Sequence, residues 1–288
     1  MAASYNEQLE QLIRAALQED IGSGDHSTLS VIPENKRGKA LLKIKQDGIL
    51  AGVTVAQTIF SLVDPDARFT IYKRDGEQMH KGDIAFEVQS GIQTILQCER
   101  LVLNCMQRMS GIATLTRQYV DKLQGYHTKV LDTRKTTPNF RLLEKEAVHI
   151  GGGINHRFAL YDMIMLKDNH IDYAGGLQAA IEKAYNYVQA NNLDLKIEVE
   201  TRSLADVQTV CNIAKGKVFR IMLDNFSPEE VSHALEIIKG AFETEASGGI
   251  NLDTVEAFAK TGVDYVSVGG LIHQAQSLDL SLKAEIEA

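Results

Sequence analysis

The feature that most constrains this chain is a rhythm in its second half. Between residues 126 and 275, short apolar segments alternate with helical ones. The strand-like pieces are Lys129–Leu131, Met163–Leu166, Ile197–Val199, Arg220–Leu223, the neighbourhood of Thr244, and Tyr265–Val268. Helical patterns lie near Phe140–Ile150, Leu177–Ala190, Leu204–Ile213, Pro228–Ile238 and Leu252–Lys260. Parallel strands cannot be joined by a tight hairpin, so repeated strand–helix units imply a parallel sheet with right-handed crossovers. The strands are expected to hold little polar interior, as when both faces are covered. Six such units fit either a doubly wound sheet or an α/β barrel.

Residues 1–125 have a different texture. Leu9, Leu12, Ile13, Ala16 and Leu17 recur at helical spacing and predict an amphipathic helix. A glycine-rich loop, residues 20–25, follows. Strand-like pieces come next at Lys39–Lys45, Gly48–Ala51, Arg68–Lys73 and Ile84–Val88, with Asp47-Gly48 and Asp75-Gly76 as turn signals. A long helical pattern then runs from Ile92 to Leu123, with a break expected at Ser110-Gly111. This half reads as a small α+β domain.

The length of 288 residues suits one large or two modest domains. No apolar run approaches the ~20 residues that span a bilayer. The first twenty residues carry charge throughout and do not read as a secretory signal. Cys98, Cys105 and Cys211 stand far apart, odd in number and without a CxxC pair, which disfavours a disulfide frame and a zinc site and makes the cytoplasm the expected compartment. With 30 Lys+Arg against 38 Asp+Glu, the net charge of -8 argues against general binding of nucleic acid or membrane lipid. One stretch reverses that balance: Arg134, Lys135, Arg141, Lys145, Arg157 and Lys167, with His149 and His156, crowd between Asp132 and Asp168. Such a cluster reads either as a pocket for an anionic small molecule or as a solvated helix face.

The predicted strands end on polar residues. Asp132 is followed by Thr133-Arg134-Lys135; the later ends are Lys167-Asp168, Glu200, Asp224-Asn225, Glu245 before Ser247-Gly248-Gly249, and Gly269-Gly270. One such Asp is explained by helix capping. A ring of them favours a shared site, because α/β barrels carry their active face at the strands' carboxyl ends. Ser247-Gly248-Gly249 and Gly269-Gly270, after the last two strands, are expected to cradle a phosphate with backbone N–H groups. Gly151-Gly152-Gly153 follows a helix and lacks dinucleotide-binding spacing. It is expected to be a flexible loop delivering His156 and Arg157 over the mouth.

Together these segments resemble the quinolinate phosphoribosyltransferase family. The matching pieces are Glu99-Arg100 with Ser110-Gly111-Ile112-Ala113-Thr114, the run from Asp132 to Pro138, the run from Gly151 to Arg157, Lys167-Asp168-Asn169-His170, Glu198-Val199-Glu200, Leu223-Asp224-Asn225, Ser247-Gly248-Gly249 and Val268-Gly269-Gly270. Asn139 stands where many relatives have Gly, and Asn also tolerates a left-handed backbone. The resemblance implies an N-terminal α/β sandwich domain, residues 1–112 completed by 275–288, and an incomplete seven-stranded α/β barrel over 113–274. It implies transfer of phosphoribosyl from 5-phosphoribosyl-1-pyrophosphate to quinolinate, with release of pyrophosphate and carbon dioxide. It also implies a homodimer or higher homo-oligomer.

By the same resemblance, Arg134, His156, Arg157 and Lys167 bind the quinolinate carboxylates, with Thr133 beside them and Arg100 contributed by the partner subunit. Lys135 contacts phosphate or the anionic substrate. Glu200 and Asp224 face the ribose and Mg2+. Ser247, Gly248, Gly249, Gly269 and Gly270 hold the 5′-phosphate. Lys135, Lys167, Glu200 and Asp224 are the implied catalytic set. The rival readings are a sister enzyme with another acceptor, a non-catalytic phosphosugar-binding module, and an isomerase or aldolase using Lys167 as a Schiff base.

Overall fold

The computed structural model describes residues 4–285. In chain order the elements are α1 (Tyr5–Ile21), α2 (His26–Val31), β1 (Arg37–Ile44), β2 (Gly48–Ile49), α3 (Val53–Val63), β3 (Arg68–Ile71), β4 (Gln78–Met79), β5 (Ile84–Gly91), α4 (Ile92–Lys122), β6 (Lys129–Leu131), α5 (Arg141–Ile150) and β7 (Ile164–Leu166). There follow α6 (Asp168–Ala174), α7 (Leu177–Ala190), β8 (Ile197–Thr201), α8 (Leu204–Ile213), β9 (Arg220–Asp224), α9 (Pro228–Ile238), β10 (Glu243–Ser247), α10 (Val255–Thr261), β11 (Tyr265–Ser267), α11 (Gly270–His273) and β12 (Leu280–Glu285). The chain divides into two compact units. One joins the described residues up to Arg117 with Thr136–Gly152 and the described residues from Leu271 on; the other comprises Gln118–Lys135 and Gly153–Gly270.

In the first unit, α1 opens on a reciprocal cap. Ser4 Oγ accepts from the Glu7 N–H, and the Glu7 carboxylate accepts from the Ser4 N–H. Leu9 and Ile13 of the predicted stripe are buried. The sheet has the antiparallel order β12-β1-β5-β3, so the C-terminal strand pairs with β1 from Lys39–Glu285 to Ile44–Leu280. Alternation along β1 buries Ala40, Leu42 and Ile44, and Phe86 of β5 stacks on Phe69 of β3 at 4.3 Å between centroids. The expected break at Ser110-Gly111 does not occur: α4 runs unbroken from Ile92 to Lys122. Ser110 is buried and its hydroxyl is satisfied by the Ala51 backbone, accepting its N–H at 3.0 Å and donating to its carbonyl at 3.2 Å. Gly111 is there for close approach, since a Cβ would strike the Gln276 carbonyl. After the Thr136-Thr137-Pro138 segment, Asn139 takes the left-handed backbone expected of it, with φ 62°.

The second unit is built on a parallel sheet of order β6-β11-β10-β9-β8-β7. From β7 to β11 each strand lies beside its predecessor, without the reversal of strand order that marks a doubly wound sheet. β6 then lies beyond β11, which is the order of a curling barrel sheet. Ile154 adds a single parallel bridge to Leu131. The described residues therefore give six parallel strands and one isolated bridge where the resemblance implied seven strands. Among the described residues no ladder joins β7 to β6, so the barrel is incomplete.

The expectation of an apolar interior is corrected here. Alternation gives β8, β9 and β10 one polar face each: Glu198 and Glu200; Arg220, Met222 and Asp224; Glu243, Glu245 and Ser247. The opposite faces carry Ile197, Val199, Ile221, Leu223 and Ala246, all buried. Glu198 and Glu245 have no exposed surface. Buried charges persist only when paired, and here they pair with one another's counter-ions inside the barrel.

Candidate active site

A cavity of about 280 Å3 opens in the second unit. Of the residues expected at a site, Thr133, Arg134, Lys135, His156, Arg157, Lys167 and Ser247 line it. They come from the segments after β6 and β7, from the end of β10 and from the loop after the Ile154 bridge. Glu245, one of the polar residues expected to share a site, lines it too, and Met165, Met222 and Ser267 line it without having been expected there. Met165 and Met222 point inward for the same period-two reason as the acidic residues beside them. Arg100 is exposed on α4 of the first unit and does not line this cavity.

The cations are held close together. Arg134 Nε is buried with no hydrogen-bond partner among the described residues. Burial lowers the pKa of the Arg157 guanidinium, and the charge of Arg134 lowers it further. Glu198 and Asp162 oppose the shift without cancelling it. Two guanidiniums in mutual repulsion, one with an orphaned buried donor, form a seat for an anion. Arg157 is steadied by its Nη1, which donates to the Met163 carbonyl at 3.2 Å.

Glu200, Asp224, Gly248, Gly249, Gly269 and Gly270 do not line this cavity. Lys167, which does, places its Nζ 3.7 Å from Glu200 Oε2, and Glu200 Oε1 accepts from the Asp168 N–H at 3.3 Å. Burial raises the Glu200 pKa, and the charge of Asp224 adds to the rise. Asp224 is fixed on both oxygens: Ser247 Oγ donates to Oδ1 and Asn225 Nδ2 to Oδ2, each at 2.7 Å. Asn225 and Gly248 both have positive φ, 59° and 95°, and a Cβ on Gly248 would strike the Asn225 side chain. Gly249, at φ 64°, has open space where its Cβ would be. Gly269 follows β11 and Gly270 opens α11.

Three expectations are corrected. The Gly151 loop is not free: a Cβ there would strike the Ala113 carbonyl at 2.6 Å, and Arg117 Nε donates to the Gly151 carbonyl at 3.0 Å. His156 is buried rather than carried over the mouth. Its N–H donates to Asp132 Oδ1 at 2.8 Å, its Nδ1 accepts from the Arg157 N–H at 2.7 Å, and its Nε2 lies 3.0 Å from Glu198 Oε2 and 3.3 Å from Glu245 Oε2. Glu245 is not at a strand end, because β10 continues to Ser247 and leaves Glu245 deep in the interior.

Burial acts to lower the His156 pKa, yet the two carboxylates facing its Nε2 as acceptors carry it up to about 9. The two carboxylates favour a proton on Nε2, while the Arg157 N–H aimed at Nδ1 works against the second ring proton that their charge would otherwise draw. Burial and the charge of Glu245 push the Glu198 carboxyl upward. Donor atoms of His156, Glu198 and Glu245 lie within 4.8 Å of one another, a spacing a metal could use. Arg220 is paired with one of the three, its Nη1 at 3.0 Å from Glu245 Oε2, and with Glu243, its Nη2 at 2.9 Å from Oε2. Period-two alternation of the charges along β8, β9 and β10 was the sequence signal for this network.

Two family descriptions match, quinolinate phosphoribosyl transferase N-terminal domain over residues 25–110 and C-terminal domain over 112–283. The "Quinolinate phosphoribosyltransferase [decarboxylating] 2b, mitochondrial" of Nicotiana tabacum is 43% identical over 97% of this chain and 83% of its own. The "Probable nicotinate-nucleotide pyrophosphorylase [carboxylating]" of Bacillus subtilis is 42% identical over 96% of this chain and 93% of its own. The crystal structure of NadC from Streptococcus pyogenes superposes with a TM-score of 0.90 at 42% identity, covering 98% of both chains. Matched along nearly its whole length in sequence and in fold, the chain belongs to the quinolinate phosphoribosyltransferase family.

Proposed function

We propose that the cavity of the second unit joins quinolinate to 5-phosphoribosyl-1-pyrophosphate and decarboxylates the adduct, giving nicotinate mononucleotide, pyrophosphate and carbon dioxide. The enzyme is then a pentosyltransferase of de novo NAD biosynthesis. The observation that carries the reading is the orphaned Arg134 Nε beside Arg157, whose guanidinium is depressed by burial and by its neighbour. A dicarboxylate supplies the missing acceptors, and a planar guanidinium can meet a carboxylate with two parallel hydrogen bonds. Met165 and Met222 supply an apolar wall for the ring.

The pyridine nitrogen attacks the anomeric carbon as the bond to pyrophosphate loosens, so no protein nucleophile is required. Glu200 and Asp224 stabilise the positive charge that develops on the ribose and hold its hydroxyls. Lys135 takes the departing phosphates. Ser247, Gly248, Gly249, Gly269 and Gly270 seat the 5′-phosphate. The mutual repulsion of Glu200 and Asp224, together with their hard oxygen donors, fits Mg2+. Glu200 and Asp224 would hold that ion directly or through the substrate, and its charge would offset that of the leaving pyrophosphate.

Once alkylated, the ring nitrogen is cationic beside the C2 carboxylate. Carbon dioxide leaves with the C–C bond's electron pair remaining on C2, and a proton replaces it. Lys167 is the donor in this reading, since it lines the cavity while both His156 nitrogens are engaged by protein groups. The working assembly is a homodimer or higher homo-oligomer in which Arg100 reaches the partner's site, and the compartment is the cytoplasm, where its three free thiols persist. The decisive experiment supplies quinolinate labelled in its C2 carboxylate, phosphoribosyl pyrophosphate and Mg2+ to the purified protein. Labelled gas and stoichiometric pyrophosphate are expected; pyrophosphate release with nicotinate in place of quinolinate, and no gas, would make it a sister enzyme.

A further inference from the structure

The interior of an α/β barrel is ordinarily filled by layers of branched apolar side chains. Here the layer beneath the cavity is ionic. Glu198 of β8 and Glu245 of β10 are wholly buried and converge on one imidazole, His156 Nε2, at 3.0 and 3.3 Å. Arg220 of β9 lies under them, bonded to Glu245 and Glu243 and packed against the rings of Phe219 and Tyr265 at 4.8 and 4.2 Å. Its Nη1 is also 4.0 Å from Glu198 Oε2. This layer is expensive in desolvation, and an apolar filling would serve packing alone at least as well.

The geometry shows where the layer leads. On the far side of the ring, Nδ1 accepts the backbone N–H of Arg157 at 2.7 Å. The same loop is tied by the His156 N–H to the buried carboxylate of Asp132. Three rigid strands therefore hold a ring, and the ring holds the backbone from which the Arg157 side chain projects along the cavity. We infer that Glu198 and Glu245, braced by Arg220, are positioning residues that act through His156 to set Arg157 for the substrate carboxylate. His156 is accordingly a strut and not itself a carboxylate ligand. This inference rests on the proposed function, which places a quinolinate carboxylate at Arg157.

The test uses the full-length enzyme with saturating Mg2+. Glu198→Gln preserves shape while removing one arm of the clamp, and Glu245→Gln removes the other. Each is expected to raise the KM for quinolinate about tenfold, since a small misplacement of a binding group is amplified at a site built for close fit, and to leave the KM for phosphoribosyl pyrophosphate within about twofold. His156→Gln should behave alike. In the double variants the effects should not multiply, because the glutamates act through the ring. An unchanged quinolinate KM, an equal rise for both substrates, or a double variant at the roughly hundredfold product of its singles would each overturn the inference. Should Glu245→Gln fail to fold for want of the Arg220 pairing, Glu198→Gln and its double with His156→Gln decide alone. A wild type that releases no carbon dioxide from quinolinate removes the functional reading and this inference with it; an active wild type with indifferent variants removes only the inference.

Discussion

Ser247 Oγ donates a 2.7 Å hydrogen bond to Asp224 Oδ1, so that the end of β10 fixes the carboxylate at the end of β9. One hydroxyl thus serves two parts of the proposed site, the phosphate cradle and the ribose-facing acid. Ser247→Ala is expected to lower kcat and raise the KM for phosphoribosyl pyrophosphate, each about tenfold, because a lost hydrogen bond to a charged group costs about 1.5–3 kcal/mol. The KM for quinolinate should stay unchanged. Steady-state kinetics with each substrate varied in turn checks this, and a rise confined to quinolinate would place Ser247 on the other side of the site.

Arg134 and Arg157 face the opposite test. Arg157→Ala or Arg134→Ala should raise the quinolinate KM by roughly ten- to a hundredfold, from about 1.5–3 kcal/mol per charge-assisted contact. Arg157→Lys should recover only part of the loss, because an ammonium cannot make the planar two-pronged contact. Full recovery by lysine would show that charge alone is read there.

Acid stability gives a check on the first unit. Asp64 accepts from the Ser90 hydroxyl at 2.5 Å and from the Gly91 N–H at 3.3 Å, and these bonds, with Arg37 nearby, hold its carboxyl below the ordinary range against the effect of burial. A carboxyl whose folded pKa is depressed contributes stability that is fully present above its unfolded value of about 3.9 and is lost as pH falls through the folded value. Asp64→Asn is expected to lower the thermal midpoint by about 3 °C at pH 7, and the difference should close as the pH is taken below the ordinary carboxylate range and the Asp64 carboxyl is protonated. Calorimetric scans of both proteins across that range decide it; a constant difference at every pH would mean that the ionised form has no special role.

The thiols should separate into two classes. Burial pushes Cys98 and Cys105 up to about 12, while Cys211 is only partly buried. Since the thiolate is the reactive form, native protein at pH 8 should be alkylated at Cys211 first, with the other two modified only after unfolding. Mass spectrometry of the labelled protein reads this directly. No cysteine lines the cavity, so labelling at Cys211 should leave turnover within about twofold.

The strand–helix alternation of the second half, the small sheet unit and the cationic stretch from Arg134 to Lys167 were legible along the chain, because amphipathic period and cap chemistry are local properties that neighbouring residues impose on one another; the helices α2, α3, α6 and α11 were not. So was the left-handed turn at Asn139. The linear pattern could not show that α4 passes through Ser110-Gly111 without a break, since only the approach of the Gln276 backbone reveals why a glycine belongs there. Nor could it show which face of each strand turns inward. Alternation along Ile197–Thr201, Arg220–Asp224 and Glu243–Ser247 is symmetric until the sheet curls. The curl then decides that glutamates and arginine fill the interior while isoleucine and valine pack outward. His156 makes the same point: next to Arg157 in sequence it looks like a second cation for the substrate, and only the meeting of β8 and β10 around its ring buries it against Glu198 and Glu245. Residues distant in sequence set its electrostatic surroundings, and those surroundings exist only once the strands have come together.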